Sequence, residues 1–144
     1  MTDTRREREA FPANDTWYAH RISYGETDQM GILYYGEYLH LFERARSQLI
    51  RERGMSNAEV ERRGILLPVR EASVRYRAPS RYDELIYVHT GISMWSRASI
   101  TFVYEVFNEA KDKLLATGHT QHACVGPDFK PVAAPAWLKE MLGN

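Results

Sequence analysis

The feature that most constrains the fold is one long amphipathic helix, predicted from about Tyr35 to Arg53. Apolar side chains recur in it at positions i, i+4, i+7 and i+11, namely Tyr38, Phe42, Ala45 and Leu49. Leu39 and Ile50 widen this stripe, and Gly54 follows as a C-terminal stop. A single apolar stripe of this length needs another layer of structure to cover it.

Strand patterns on both sides of the helix supply that layer. Alternating residues predict one strand before the helix and four after it, at Trp17–Tyr24, Ile65–Arg77, Leu85–Trp95, Ala98–Phe107 and Leu114–Val125. Short helices are predicted at Ser56–Arg63, which begins with a capping box, and at Ala136–Leu142. One strand, one long helix and four closely connected strands predict an α+β fold.

Composition narrows the class of protein. Residues 1–15 are predicted to be a polar, poorly ordered tail and residues 16–144 a single domain. Lys+Arg and Asp+Glu number 19 each, and this zero net charge argues against a protein that binds nucleic acid by general charge. No apolar run is long enough to span a bilayer, and the charged N-terminus lacks the apolar segment of a secretory signal. With one cysteine, Cys124, in an apolar strand pattern, no internal disulfide can form, so a cytoplasmic protein is expected.

Several catalytic motifs are missing from the sequence. It contains no Gly-x-Ser-x-Gly of the nucleophile-elbow hydrolases, no phosphate-binding glycine loop and no dinucleotide fingerprint. His119 and His122 are three residues apart in a predicted strand, so their side chains should point to opposite faces and not share a metal ion. We therefore expect neither a metal nor an organic cofactor.

One acid, Asp28, lies between the first strand and the long helix, in a turn-like setting with Gly25 and Gly31. Gly36, at the N-cap position of the helix, has no side-chain oxygen, so the first backbone N–H groups need other acceptors. Together with the helix dipole, such donors suit an anion or a polarised carbonyl oxygen. Two interpretations stay open. Asp28 either shapes the turn or is a reactive carboxylate beside an oxyanion site.

Arg46 is the anomaly of the helix because it falls inside the apolar stripe. Glu43, three residues earlier, lies at the edge of the same stripe. An i, i+3 ion pair would let both side chains sit partly buried, which predicts a structural pair that holds the helix to its sheet. Removal of one partner should then destabilise the fold strongly.

The stretch around Asp28 resembles a known family. The matching residues are Asp28-x-x-Gly31-Ile-Leu-Tyr-Tyr35-x-x-Tyr38, followed by Phe42-Glu-x-Ala-Arg46. They resemble the hotdog-fold acyl-CoA thioesterases of the 4-hydroxybenzoyl-CoA thioesterase type, and in particular the bacterial subgroup of short acyl-CoA thioesterases associated with the Tol–Pal envelope system. The similarity extends from about Trp17 to Pro135. It implies a hotdog fold, in which a bent antiparallel β-sheet wraps around one long central helix.

The resemblance also implies a thioester hydrolase that uses no metal or organic cofactor. It assigns Asp28 to catalysis, as a nucleophile or as the base that activates water. It assigns the backbone N–H of Tyr35 to the substrate carbonyl oxygen, and Gly31 would let the loop approach the substrate closely. Tyr34 and Tyr38 could line an acyl pocket or could belong to ordinary core packing.

Acyl-CoA is the implied substrate, and its phosphates require basic residues nearby. Arg75 and Arg77 are predicted on one strand face, and Arg97 is a further candidate. Relatives carry a richer basic cluster where this chain keeps only Arg97, so an acyl-carrier-protein substrate is an alternative. Relatives form homodimers or homotetramers with their sites at subunit interfaces, and the same is expected here. Some relatives place their catalytic carboxylate on the long helix, which makes Glu43 a second catalytic candidate.

Two other functions compete with hydrolysis. Hydratase or dehydratase chemistry on the same fold is disfavoured, because no histidine lies near the start of the helix. A non-catalytic protein that binds acyl thioesters would keep the aromatic helix. Only an enzyme would require Asp28 as a free carboxylate.

Overall fold

A computed structural model describes residues 10–143, and its main element is a five-stranded sheet. The strands are β1 (Asp15–Arg21), β2 (Val69–Tyr76), β3 (Leu85–Ser96), β4 (Ser99–Asn108) and β5 (Leu114–Ala123). Within this range their order across the sheet is β1-β3-β4-β5-β2, and neighbouring strands pair antiparallel. The two edges are therefore β1 and β2. The predicted α+β class is confirmed.

Three α-helices accompany the sheet in the described range, namely α1 (Glu37–Glu52), α2 (Asn57–Arg62) and α3 (Ala136–Leu142). The hydroxyl of Ser56 accepts the backbone N–H of Glu59, so the predicted cap of α2 is present. Among residues 10–143, no helix combines the length and the apolar character that crossing a bilayer requires. The long helix is thus a core element, packed mainly against β1 and β3.

The buried face of α1 follows the predicted stripe with one exchange. Its buried residues are Tyr38, Leu41, Phe42, Ala45, Leu49 and Ile50. Leu39 was expected to widen the stripe, but it is 43% exposed, whereas Leu41 on the opposite flank is fully buried. Leu39 and Ile50 lie on the same flank, because eleven residues bring a helix back to nearly the same direction. Only the end near Ile50 is buried, and there Ile50 lines a cavity together with Val60 of α2 and Ile65.

The centre of the core depends on a close approach of α1 to β5. The ring of Phe42 stacks on that of Tyr104, with 4.0 Å between centroids and 4° between planes. Beneath it lies Gly118 of β5, where an added Cβ would lie 2.6 Å from Cε2 of Phe42 and closer still to the carbonyl oxygen of Ser73. Glycine at this strand position therefore lets the Phe42 ring pack directly against the sheet.

A chain of hydrogen bonds crosses this apolar core. Nδ1 of His122 donates to the carbonyl of Leu67 at 2.9 Å, which leaves Nε2 to accept from the hydroxyl of Thr120 at 2.8 Å. The Thr120 hydroxyl then accepts from Tyr104 at 2.6 Å, and the Tyr104 hydroxyl accepts from Arg46 at 3.4 Å. All four bonds run in one direction, so His122 is held in one neutral tautomer. Burial lowers the pKa of His122 to about 4, and the charge of Arg46 acts in the same direction.

This arrangement predicts that the free energy of unfolding falls as the pH drops from about 6.5 to about 4. Native His122 stays neutral over this range, whereas in the unfolded chain it takes up its proton near the ordinary histidine pKa of 6.5. The shift corresponds to about 3 kcal/mol. Urea unfolding at pH 7 and pH 4.5 measures it, and His122→Gln should lose most of the difference. His119→Gln, on the other face of the sheet, should keep it. An unchanged pH dependence in His122→Gln would contradict the assignment.

Of the predicted pair of partly buried side chains, Glu43 and Arg46, only that of Arg46 is partly buried. The Arg46 side chain is 13% exposed, but that of Glu43 is 66% exposed, and their closest atoms are 3.9 Å apart. A pair with one partner in solvent contributes little stability. Arg46 is held instead by its place in the hydrogen-bond chain, a contact from another element that the helix pattern does not encode.

The predicted orientation of the two histidines is confirmed. His122 lies in the core, whereas His119 on the outer face bonds Ser73 at 2.7 Å and Glu71 at 2.8 Å. Most of the predicted tail, residues 1–9, lies outside the described residues. Residues 11–14 belonged to the same prediction, yet the Phe11 ring stacks on His89 at 3.8 Å. The contacts of the domain therefore begin before residue 16.

Candidate active site

Asp28 lies at the turn of a small hairpin between β1 and α1. Thr27 and Leu33 form an antiparallel bridge, and the backbone N–H of Asp28 donates to the carbonyl of Ile32 at 2.9 Å. Gly31 has a φ of +77°, which other residues rarely adopt, and its N–H returns to the Asp28 carbonyl at 2.9 Å. Glycine at position 31 thus closes the turn that presents Asp28.

The two carboxylate oxygens of Asp28 have different surroundings. Oδ1 accepts the backbone N–H of Met30 at 2.8 Å and that of Ile32 at 3.4 Å. Oδ2 has no hydrogen-bond partner among residues 10–143. The turn-shaping interpretation of Asp28 therefore applies to one oxygen, and the second oxygen is available for chemistry.

The start of α1 provides donors next to this carboxylate. Gly36 is the N-cap residue, and no side-chain hydrogen bond caps the helix at this position. The N–H of Glu37 donates to the Tyr34 carbonyl, but in the described part of the chain the N–H groups of Tyr35 and Gly36 have no acceptor. The dipole of a sixteen-residue helix adds partial positive charge at this point. A carbonyl oxygen that develops negative charge would be stabilised there.

Asp28 and Tyr35 both line one cleft of about 390 Å³. Its wall includes Asp28, Met30, Tyr35, Tyr38, Tyr76 and Arg77. Most of this lining is apolar or aromatic, with one carboxylate and one guanidinium. Such a cleft suits an apolar group that carries a reactive polar centre at one end.

The predicted tyrosines divide between the cleft and its rim. Tyr38 lines the cleft and is only 3% exposed, so it belongs to the acyl pocket candidate and to the core at once. Tyr34 is not part of the cleft wall; its ring packs on that of Tyr35 with centroids 4.5 Å apart. Sequence reasoning missed Tyr76 of β2, whose hydroxyl donates to the Tyr35 carbonyl at 3.0 Å. The sequence did contain a signal for this contact, because the alternating pattern of the strand places Tyr76 on its inward face.

The structure separates the two arginines that were predicted to share a strand face. Arg75 lies on the outer face of β2, opposite Thr117 of β5. The strand ends at Tyr76, and Arg77 beyond it lines the cleft. Arg77 is therefore placed at the candidate site, and Arg75 is directed away from it.

Arg97 lies in the turn between β3 and β4, far from Asp28 of the same chain. The Asp28 hairpin contacts the segment just before β3, because the N–H of Leu33 donates to the Ser80 carbonyl and Ile32 bridges Arg81. β3 has twelve residues, so its ends are roughly 36 Å apart at about 3.3 Å per residue. Arg97 is therefore not part of the candidate site of its own chain.

Comparison with known proteins identifies the class to which this fold and cleft belong. The family model of the thioesterase-like superfamily matches residues 22–142, so the chain belongs to that superfamily. A putative acyl-CoA thioesterase of Bacillus subtilis, YneP, is 35% identical over 121 residues, which cover 81% of this chain and 87% of YneP. The predicted membership of the hotdog-fold acyl-CoA thioesterases is confirmed, and with it the prediction of a thioester hydrolase.

Solved structures agree with this placement. The DHNA-CoA thioesterase of Staphylococcus aureus is 37% identical and superposes with a TM-score of 0.78, covering 83% of this chain and 80% of that one. A mutant of 4-hydroxybenzoyl CoA thioesterase, solved with 4-hydroxybenzoyl CoA, has a TM-score of 0.82 over 91% of this chain and all of its own. At 21% identity the second likeness concerns the fold alone. The hotdog fold predicted from the sequence is confirmed.

Proposed function

We propose that the protein hydrolyses acyl-CoA thioesters with Asp28 as the reacting carboxylate and the Tyr35 N–H as the donor to the carbonyl oxygen. One observation carries the proposal: Asp28 and Tyr35 line one cleft, and an oxygen of Asp28 and the N–H of Tyr35 have no partner in the described chain. A thioester needs little more, because its carbonyl is reactive and a thiolate is a good leaving group. The chemistry requires only polarisation of the carbonyl and one nucleophile or base.

Two routes fit these groups. In the first, Oδ2 of Asp28 attacks the carbonyl carbon, the C–S bond breaks and CoA leaves as the thiolate, which gives a mixed anhydride that water hydrolyses. In the second, Asp28 takes a proton from the water that attacks the carbonyl carbon, and the proton passes to the leaving sulfur. Both routes end in the free acid and CoA with Asp28 regenerated.

The cleft also suggests where the acyl group lies. Tyr38, Tyr76 and Met30 would contact its apolar part, and the open turn at Gly31 would let the thioester come close to Asp28. Arg77 is placed to meet a negatively charged portion of the substrate. We propose acyl-CoA as this substrate because relatives with the same fold carry CoA substrates in their names. An acyl-carrier-protein substrate, a Tol–Pal association and a cytoplasmic location stay predictions.

Thiol release from a panel of acyl-CoAs tests the proposal directly. The panel should include short aliphatic, long aliphatic and aromatic acyl groups, with free CoA detected by a thiol reagent and the acid by mass spectrometry. At least one member should be hydrolysed well above the buffer rate. Binding of acyl-CoAs without release of thiol from any of them would favour the non-catalytic alternative.

The site as proposed is completed by a second copy of the chain in a homodimer or homotetramer. Seven of the eight residues of β2 are exposed, and its outer edge has no partner strand in the described chain. Bare edges of this kind are normally covered. Pairing of β2 with its own copy would also bring a second chain beside the cleft, and Arg97 from that chain could meet the CoA phosphates.

A mixture of two inactive variants tests the shared site. Asp28→Ala and Arg97→Glu are unfolded together and refolded; a mixed dimer then holds one site with both lesions and one with neither. With free exchange, about a quarter of all sites should regain activity by binomial assortment. Arg51→Glu, another exposed arginine changed in the same way, should be active alone. No recovery, with mixed dimers confirmed by mass spectrometry, would contradict a role of Arg97 at the neighbouring site.

A further inference from the structure

Glu26 joins three parts of the molecule beside the Asp28 hairpin. Its side chain is only 12% exposed, although it carries a carboxylate. Both carboxylate oxygens accept from Nε2 of His20 on β1 at 3.0 Å, and Oε1 also accepts the backbone N–H of Ser23 at 2.7 Å. Arg44 of α1 lies 3.8 Å from Oε2. One acid thus links β1, α1 and the turn that leads to the candidate site.

The backbone of Glu26 closes the hairpin that holds both reacting groups. Its carbonyl accepts the N–H of Tyr34 at 2.9 Å. Asp28 follows Glu26 by two residues on one side of this closure, and the N–H of Tyr35 follows Tyr34 directly on the other side. The distance between the reactive carboxylate and the proposed oxyanion donor therefore depends on where Glu26 is held.

The carboxylate of Glu26 is held as an anion. Burial raises its pKa, but the hydrogen bonds from Ser23 and His20 outweigh burial and leave the pKa below the usual value. Bonds to an ionised carboxylate are stronger than bonds between neutral groups. His20 is itself 11% exposed, and its Nδ1 lies 3.4 Å from the hydroxyl of Tyr18, so the imidazole also has a fixed orientation.

We propose that Glu26 is a positioning residue for the hydrolysis, fixing Asp28 relative to the Tyr35 N–H through its bonds to His20 and Ser23. The inference rests on the proposed function. Neither Glu26 nor His20 belongs to the wall of the cleft, so neither is a catalytic residue. Their effect on the reaction passes through the hairpin backbone.

This role predicts a specific kinetic pattern for Glu26→Gln. The amide oxygen can still accept from Ser23, but the N–H₂ group takes the position of Oε2, opposite the donors of His20 and Arg44, and the negative charge is lost, so the anchor is weakened. The cleft wall that binds the acyl group is unchanged. We therefore expect kcat to fall at least about tenfold while KM stays within about twofold, because small displacements of reacting groups cost rate more than binding.

Asp15→Asn is the matched control. Asp15 also accepts from a histidine, Nε2 of His89 at 2.5 Å, but at the far end of β1 and away from the hairpin. The control should keep the wild-type kcat and KM. All rates are divided by the fraction of folded protein from circular dichroism, so that a loss of stability alone changes nothing.

The possible outcomes distinguish a failure of the positioning role of Glu26 from a failure of the proposed thioesterase function. A wild-type protein that hydrolyses no acyl-CoA would overturn the proposed function. An active wild type with unchanged kcat in Glu26→Gln would overturn the positioning role alone. So would a rise in KM that accounts for the whole loss, since it would place Glu26 in substrate binding.

Discussion

Asp28→Ala should lower kcat for thioester hydrolysis by at least about a hundredfold, the scale expected when a positioned base or nucleophile is lost. Asp28→Asn should do the same. It is the more informative variant because its amide oxygen can keep the bonds to Met30 and Ile32 that shape the turn. Both proteins should retain the wild-type circular dichroism spectrum, because Asp28 itself is not part of the apolar core. Steady-state thiol release from the best acyl-CoA of the panel measures the effect.

Glu43→Gln is the control for this prediction. Glu43 is exposed on α1 and lines a different cavity, with Arg46, Ser47 and Val60, so its removal should leave hydrolysis unchanged. Near-normal rates in Asp28→Asn would refute the assignment of Asp28. A loss in Glu43→Gln at the same time would transfer the catalytic role to the helix.

Isotope labelling separates the two routes open to Asp28. Multiple turnovers in water enriched in oxygen-18 would place label in the Asp28 carboxylate if an anhydride forms there and water attacks its aspartyl carbon. A general base never exchanges its own oxygens in this way. Mass spectrometry of the peptide around Asp28 would therefore identify a nucleophile by its label.

Leu41→Ala should reduce the free energy of unfolding by about 2–5 kcal/mol, the usual range for removing a leucine side chain from a packed core. Leu41 is a fully buried residue of α1. Leu39→Ala removes the same atoms from the same helix, but Leu39 is 43% exposed and should change stability by less than about 0.5 kcal/mol. Urea unfolding of the two variants beside the wild type gives both numbers under one set of conditions.

Equal losses in the two variants would contradict the packing of α1. A large loss confined to Leu39→Ala would mean that the flank carrying Leu39 is covered in solution. A second copy of the chain could provide such cover, and the loss would then depend on protein concentration.

The long helix could be predicted because its signals are local. The stripe from Tyr38 to Leu49 repeats with the helical period, and Gly36 and Gly54 mark its ends in the sequence itself. Leu39 was placed wrongly because the cover over that flank comes from α2, which only the tertiary structure brings near Ile50. Periodicity gives the direction of a side chain, but not what lies opposite it.

The first strand ends earlier than predicted, at Arg21 instead of Tyr24, for a local reason that was overlooked. Ser23-Tyr-Gly-Glu26 has the spacing of a capping box, and the Glu26 carboxylate does return to the Ser23 N–H. The turn therefore starts at Ser23, although the alternating strand pattern of the sequence continues to Tyr24. The same four residues contained the first sign of Glu26 as an anchor.

The candidate site could be predicted only in part. Asp28 and the start of α1 are neighbours in the chain, so their proximity follows from a short loop. The contact of Tyr76 with the Tyr35 carbonyl joins residues 41 positions apart, and that of His20 with Glu26 depends on how a strand faces a turn. Contacts of this kind follow from sheet register and packing, which one sequence does not display.

The hydrogen-bond chain through the core also bears on structures that the protein must avoid. If β5 slipped by one residue against β4, every side chain of β5 would exchange faces. Thr120 and His122 would leave the core, His119 and Gln121 would enter it, and the Tyr104 hydroxyl would lose its acceptor. Gly118 would also move from beneath Phe42, and a residue with a Cβ would take its place. The slipped sheet would therefore be destabilised in two ways, by buried polar groups without partners and by steric overlap. Both effects favour the observed alignment of β5 over alignments shifted by one residue.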